Sequence, residues 1–196
     1  MMKLLAILSA ILLLTYPFAV YFGIDKLGIE AIAVVLILLF LIRILAGSKS
    51  KLKELKYLAW ITGGIGIVLL SLGALLNQQG WLTYYPVVVS TCLLVVFWLS
   101  LSQEQSLIER FARLQEPQLD PKAVLYTRNV TKVWCVFFLI NGSIALSTCF
   151  MPLSYWTLYN GFISYIAMGL LFAIEFIIRK QVQQKIKATQ TGTHEQ

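Results

Sequence analysis

Polar side chains inside apolar stretches are the residues of this sequence that are best placed for chemistry. The main examples are Asn141, Asn160 and Glu175. An ionisable group within a membrane span is costly to bury, so Glu175 is a candidate for proton titration or for contact with a substrate. It also precedes Arg179 by four residues, and the two can form an ion pair along one helix face.

The two amides also have two interpretations. Buried amides hydrogen-bond between membrane helices and hold a bundle together. Alternatively, Asn141, Ser143, Tyr159 and Asn160 form a polar pocket that faces the non-cytoplasmic leaflet. The sequence leaves both interpretations open.

A basic set precedes and enters the fifth apolar run: Arg110, Arg113, Arg128 and Lys132. Gathered at one membrane surface, these charges could bind the phosphate of a lipid headgroup or of a phosphopantetheine-bearing acidic carrier protein. The same residues could instead anchor the chain, because lysine and arginine favour the cytoplasmic side of a membrane.

Catalytic and metal-binding arrangements are missing from the sequence. The only histidine is His194, and Cys92, Cys135 and Cys149 are far apart with no Cys-x-x-Cys pair. A cysteine–histidine metal site is therefore not expected. No histidine is available for a serine nucleophile or an acyltransferase pair, so the sequence favours a non-catalytic protein without metal or cofactor.

The composition is that of a membrane protein. Apolar residues make up 59% of the chain and charged residues 13%, against roughly 45–50% and about 25% in soluble domains. The net charge of +7 comes from basic residues between apolar runs. We interpret these residues as topology signals and as contacts for membrane lipids, and we expect no nucleic-acid binding.

The apolar runs predict an all-α protein with six transmembrane helices, because each run approaches the length of about 20 residues that a membrane helix needs. A backbone that crosses lipid must satisfy its own hydrogen bonds, as a helix does. With both termini in the cytoplasm, every lysine and arginine except Lys26 lies on the cytoplasmic side or at its boundary. The predicted spans are residues 4–22, 28–46, 57–76, 84–101, 131–151 and 155–178, with a cytoplasmic loop at 102–130 and a tail at 181–196.

The loop is expected to contain an amphipathic helix that lies flat on the inner leaflet. Asp120 before Pro121 is typical of an N-cap followed by the first residue of the next helix. The tail is expected to begin as a helix and to end disordered. The apolar face of the amphipathic helix would carry Leu107, Ile108, Phe111 and Leu114, and its polar face Glu109, Arg110 and Arg113.

Two further patterns concern helix packing. Ala59, Gly63 and Gly66 give the third span a face of small residues, which predicts a close helix contact. Trp134 and Trp156 lie near span ends and are typical of an interfacial aromatic belt. The sequence does not decide whether copies of the chain form a homo-oligomer.

The stretch ERFARLQEPQLDPKAVLYTRNVTKVWCVFFLINGSIAL, Glu109–Leu146, resembles a family of bacterial inner-membrane proteins encoded among fatty-acid-synthase-like genes for aryl polyene lipids. The stretch WTLYNGFISYIAMGLLFAIEFIIR, Trp156–Arg179, continues the likeness. A looser likeness links intracellular septation protein A with this chain through Trp134, Phe137, Phe138, Asn141 and Trp156.

These resemblances imply a multi-pass protein of the bacterial inner membrane. Together with the basic amphipathic helix, the first resemblance suggests a non-catalytic component of aryl polyene or related lipid assembly, which docks cytoplasmic acyl-carrier enzymes through residues 102–132. Two alternatives remain open. One is a lipid or polyene transporter or flippase that uses Glu175, Asn141 and Asn160, and the other is a cell-envelope or division scaffold.

Overall fold

The computed structural model describes residues 16–47, 53–76 and 80–193, and every regular element in these ranges is a helix. The all-α prediction is therefore confirmed for the described residues. The elements are α1 Tyr16–Gly47, α2 Lys53–Leu75, α3 Gly80–Thr83, α4 Tyr85–Leu101, α5 Leu107–Arg113, α6 Pro121–Thr148, α7 Leu153–Leu158, a π-helical segment Tyr159–Ile163, and α8 Ser164–Thr193.

Three helical stretches are long and apolar enough to cross a membrane: Gly80–Leu101, Pro121–Thr148 and Leu153–Ile186. They correspond to the last three predicted spans, although each begins earlier than predicted, the second ends at Thr148 and the third continues to Ile186. Asp120 Oδ1 accepts a hydrogen bond from the Lys122 backbone N–H at 2.8 Å, so the predicted cap at the start of α6 is confirmed.

The prediction of six spans is not supported. A span needs about 20 residues, and the apolar parts of α1 and α2 are shorter than this: they are Ala33–Ile42 and Ala59–Leu75. In addition, α1 runs unbroken through residues 23–27, where a loop was predicted around Asp25 and Lys26. Two charged residues do not end a helix, and isolated glycines cost only about 1 kcal/mol each. Residues 4–15 of the first predicted span lie outside the described residues.

The C-terminal tail also differs from its prediction, because α8 continues as a helix to Thr193. Extending an existing helix avoids the unfavourable nucleation step, so a polar sequence can remain helical after a long apolar segment. The last three residues lie outside the described part of the chain.

The chain divides into two compact units. The first consists of the described residues of Met1–Leu93 together with Phe138–Tyr165, and the second of those of Leu94–Phe137 and Ile166–Gln196. The core of the first unit contains Phe40 of α1, Tyr85 of α4 and Trp156 of α7, and the Phe40 and Tyr85 rings pack edge to face at 4.8 Å.

Glycines bring α1 and α2 together in the first unit. A Cβ atom on Gly66 would lie 2.7 Å from the Phe40 ring, and one on Gly63 would lie 2.6 Å from the Ile44 side chain. These distances leave no room for a side chain, so the predicted close contact of the third span is confirmed at these two glycines.

The second unit is built around Trp134 of α6. Its ring centroid lies 6.4 Å from that of Phe97, 5.6 Å from that of Phe137 and 4.5 Å from that of Phe172. Trp134 is buried, so its assignment to an interfacial aromatic belt was wrong. An aromatic ring near a span end can serve as a packing centre as well as an interfacial anchor.

Candidate functional site

A short turn connects α4 to α5 and fixes the orientation of α5. Ser100 Oγ donates to the Phe97 carbonyl at 2.7 Å and accepts from the Leu107 backbone N–H at 3.0 Å. Ser106 caps α5 by accepting from the Glu109 N–H at 3.4 Å. Two hydroxyls therefore satisfy backbone donors that the first turn of a helix leaves without partners.

The faces of α5 differ from the sequence prediction. Leu107 is 1% exposed, but Glu109 is also buried, at 3% exposure, whereas Phe111 is 36% and Leu114 54% exposed. The prediction that Glu109 lies on the polar face with Arg110 and Arg113 was therefore wrong, and the contact of Phe111 and Leu114 with the inner leaflet stays a prediction. Arg113 explains the burial of Glu109, because its Nη2 and Nε lie 2.8 and 2.9 Å from Glu109 Oε1.

The predicted basic set is held by contacts within this region. Arg110 Nε donates to the Gln105 carbonyl at 3.1 Å, and its Nη2 bonds the Gln103 side chain. Arg128 Nη2 donates to the Leu101 carbonyl at 2.7 Å, which caps the last turn of α4. The 101–105 turn therefore brings Arg110 and Arg128 to the same piece of backbone.

The other two basic residues are placed differently. Arg113 is paired with Glu109, and its Nη1 donates to the Pro117 carbonyl at 2.9 Å. Lys132 is exposed and lies one turn after Arg128 on α6. Residues four apart share a helix face, so Arg128 and Lys132 form a basic stripe along α6.

One face of α5 combines positive charge with exposed apolar area. Arg110 and Leu114 are four residues apart and Phe111 and Leu114 three apart, so the three side chains are neighbours on the helix. We call Arg110, Phe111 and Leu114 the α5 surface. Sequence periodicity identified its members but grouped Arg110 with the polar face and Phe111 and Leu114 with the apolar face.

Glu175 of α8 lies beside Tyr126 of α6, and both belong to the second unit. Tyr126 Oη donates to the Glu175 carbonyl oxygen at 3.2 Å and lies 3.5 Å from Oε1. Arg179 Nε lies 3.8 Å from the same carboxylate oxygen. The ion pair anticipated from the sequence is therefore present, and Tyr126 is a contact that the sequence did not reveal.

The two amides belong to the first unit and make separate hydrogen-bond chains. Tyr159 Oη donates to Asn141 Oδ1 at 3.0 Å, and Asn141 Nδ2 donates to Ser90 Oγ at 3.1 Å. Asn160 Nδ2 donates to Thr148 Oγ1 at 3.0 Å. The predicted pocket is therefore only partly assembled, and its fourth member, Ser143, is exposed and bonds the Leu139 carbonyl of its own helix.

The π-helical segment supplies one residue to each of these hydrogen-bond chains, Tyr159 and Asn160, and no specific pattern in the sequence predicts it. The Ser164 N–H bonds the Tyr159 carbonyl, five residues back. Asn160 Nδ2 also donates to the Trp156 carbonyl at 3.0 Å, one turn back in the chain. Such segments occur frequently at functional sites. Gly161, which follows Asn160, allows close packing of Phe18, because a Cβ atom on Gly161 would lie 3.0 Å from the Phe18 ring.

The described residues contain no group of three or more His, Cys, Asp or Glu side chains that could hold a metal ion. Comparisons with protein-family models, with curated proteins and with solved structures found no match. The function proposed below therefore rests on the geometry of these side chains and on the resemblance noted from the sequence.

Proposed function

We propose that this chain is a non-catalytic membrane component of aryl polyene or related lipid assembly that docks acyl-carrier enzymes at the bacterial inner membrane. The observation that supports this proposal is the α5 surface. Leu107 and Glu109 hold α5 inward, so Phe111 and Leu114 are exposed on a short, capped helix, with the half-buried Arg110 beside them.

The chemistry of this surface suits an acidic partner. Two apolar anchors beside one cationic group, Arg110, resemble the centre and rim of a protein interface, and positive charge increases the rate at which a negatively charged partner associates. A helix of seven residues with two exposed apolar side chains buries little area in a bilayer. We therefore favour a carrier protein over the membrane surface as the occupant.

We also propose that residues 102–120 and the chain after Ile186 face the cytoplasm. Two crossings, Pro121–Thr148 and Leu153–Ile186, separate these segments, so both lie on the same side of the membrane. Both carry basic residues, which favour the cytoplasmic side.

The position of the N terminus follows from the number of crossings that precede Gly80. A cytoplasmic N terminus, as the sequence predicts, requires an odd number.

Binding of a purified phosphopantetheine-bearing acyl carrier protein to the full chain in detergent tests the docking role. Changing both Phe111 and Leu114 to alanine should weaken binding at least about thirtyfold, since central interface residues each contribute more than about 1 kcal/mol and the two losses together exceed about 2 kcal/mol. Leu125→Ala is the matched control, because Leu125 is 63% exposed in the same unit but lies on α6.

The control must retain wild-type affinity for the role of α5 to hold. Unchanged binding by the double variant would remove α5 from the interface. If the double variant instead loses affinity only for protein-free vesicles of anionic lipid, the surface binds the membrane and the docking proposal fails.

A second candidate function, a lipid or polyene transporter, is favoured by the polar groups of the first unit. Buried hydroxyls and amides line α4, α6 and the π-helical segment, and Thr157 Oγ1 is buried without a hydrogen-bond partner among the described residues. Transport would require Glu175, so Glu175→Gln should abolish polyene export at normal protein level. Export at the wild-type rate would exclude the carboxylate from the mechanism.

A further inference from the structure

The apolar surface of α8 ends at Ile178 and is followed directly by Arg179 and Lys180. The Arg179 guanidinium carbon lies 5.6 Å from the centroid of the Phe176 ring, and the Lys180 ammonium nitrogen lies 4.5 Å from it. Phe176 precedes these residues by three and four positions. Both cations therefore fold back toward the N-terminal end of α8, the direction in which helical side chains lean.

This direction has an electrostatic consequence. The charges lie at the level of the last apolar turn, beside the Phe176 ring. Glu175 Oε1 lies 3.8 Å from Arg179 Nε and offsets one charge. Among the described residues, no carboxylate lies within ion-pair distance of Lys180. Two cations and one carboxylate leave this end of α8 with a net positive charge.

The turn below the cations presents apolar area. Phe176, Ile177 and Ile178 are all exposed, and Leu153–Ile186 is the least buried of the three spans. A ligand with an acidic head and hydrocarbon chains matches both features. An arginine side chain offers a planar pair of donors to phosphate oxygens, and a lysine offers a point charge.

We propose that Phe176, Arg179 and Lys180 form a binding site for the phosphate headgroup of an anionic glycerophospholipid, whose acyl chains lie along the exposed face of α8. The site prefers an anionic lipid to a zwitterionic one, because a zwitterionic headgroup brings its own cation to a site that is already positive. This site is separate in sequence from the α5 surface and does not depend on the docking function.

Lipid binding to the full chain in detergent, measured by native mass spectrometry with phosphatidylglycerol and phosphatidylcholine, tests the proposal. Phosphatidylglycerol should bind more tightly than phosphatidylcholine. Lys180→Gln should weaken phosphatidylglycerol binding about fivefold, the effect of one cation near an anionic lipid surface. Phe176→Leu should also weaken it, because it keeps an apolar side chain but removes the ring that both cations contact.

Lys122→Gln is the matched control, since it removes the same charge from the exposed first turn of α6. Equal losses in Lys180→Gln and Lys122→Gln would show that only total charge matters and would overturn the site. Equal affinity for the two lipids would also overturn it. Displacement of the lipid by millimolar inorganic phosphate would identify a site for free phosphate and would overturn the lipid assignment.

Discussion

Replacing Asn141 by alanine removes both the acceptor of the Tyr159 hydroxyl and the donor to Ser90. Interhelical hydrogen bonds within membranes contribute about 0.6 kcal/mol each on average, so the loss of two should lower the free energy of unfolding by about 1.2 kcal/mol. Tyr159→Phe removes one of the two bonds and should cost about 0.6 kcal/mol by the same measure.

The double variant distinguishes a direct bond from two independent effects. If Tyr159 donates to Asn141, the double variant should cost about 1.2 kcal/mol instead of the additive value of about 1.8, because the shared bond is lost only once. Reversible unfolding in mixed micelles of mild detergent and sodium dodecyl sulfate, followed by circular dichroism, measures each free energy.

Ser143→Ala is the control for this cycle. Its hydroxyl is exposed and bonds a carbonyl of its own helix, so the substitution should change stability by less than about 0.5 kcal/mol. Strict additivity of the Asn141 and Tyr159 substitutions would refute the reasoning, since it would mean that the two side chains do not interact.

Three other predictions concern packing, capping and topology. Gly66→Ala should destabilise the chain by about 1–3 kcal/mol, because the new Cβ atom would overlap the Phe40 ring. Gly64→Ala, which has open space around it, should be neutral or stabilising by up to about 1 kcal/mol in the same unfolding assay. Asp120→Ala should cost about 1 kcal/mol through loss of the cap, and an unchanged stability would show that the cap contributes nothing. Single cysteines at Glu104 and Gln190, in a variant without the natural cysteines, should both resist a membrane-impermeant maleimide in intact cells and react after permeabilisation; opposite behaviour of the two sites would contradict the two intervening crossings.

The features that the sequence predicted correctly depend on summed or strictly local properties. The last three spans follow from apolarity added over many residues, and the cap of α6 requires only Asp120 and its two neighbours. The close approach of α1 and α2 follows from Gly63 and Gly66 because no other residue type leaves the space.

The predictions that failed depend on which tertiary partner is available. Glu109 is polar, and periodicity assigned it to the outer face, but Arg113 neutralises it and allows it to be buried. Trp156 was assigned to an aromatic belt, yet it is fully buried and donates from Nε1 to the Thr83 carbonyl at 2.9 Å. Arg113 follows Glu109 by four residues, so spacing could have indicated this pair but not its burial, whereas Thr83 could not be recognised as a partner from spacing alone.

The π-helical segment shows the same dependence on distant residues. It is accompanied by the side-chain amide of Asn160, which donates to the Trp156 carbonyl, and by the close packing of Phe18 on Gly161. Asn160 is a local feature, but Phe18 is more than a hundred residues away in the chain. The sequence therefore identified Asn160 as a polar residue of interest without indicating the backbone irregularity beside it.

The placement of the polar groups bears on the choice between docking and transport. Asn141 and Asn160 already bond Ser90, Tyr159 and Thr148, so a substrate that used either amide in the same way would have to replace these internal bonds. Replacing an internal bond with a bond to a substrate yields little net free energy. The apolar side chains of the α5 surface, in contrast, are exposed, and a partner that covered them would gain the full benefit of burying apolar area. The balance of these terms favours recognition at α5 over transport through the first unit.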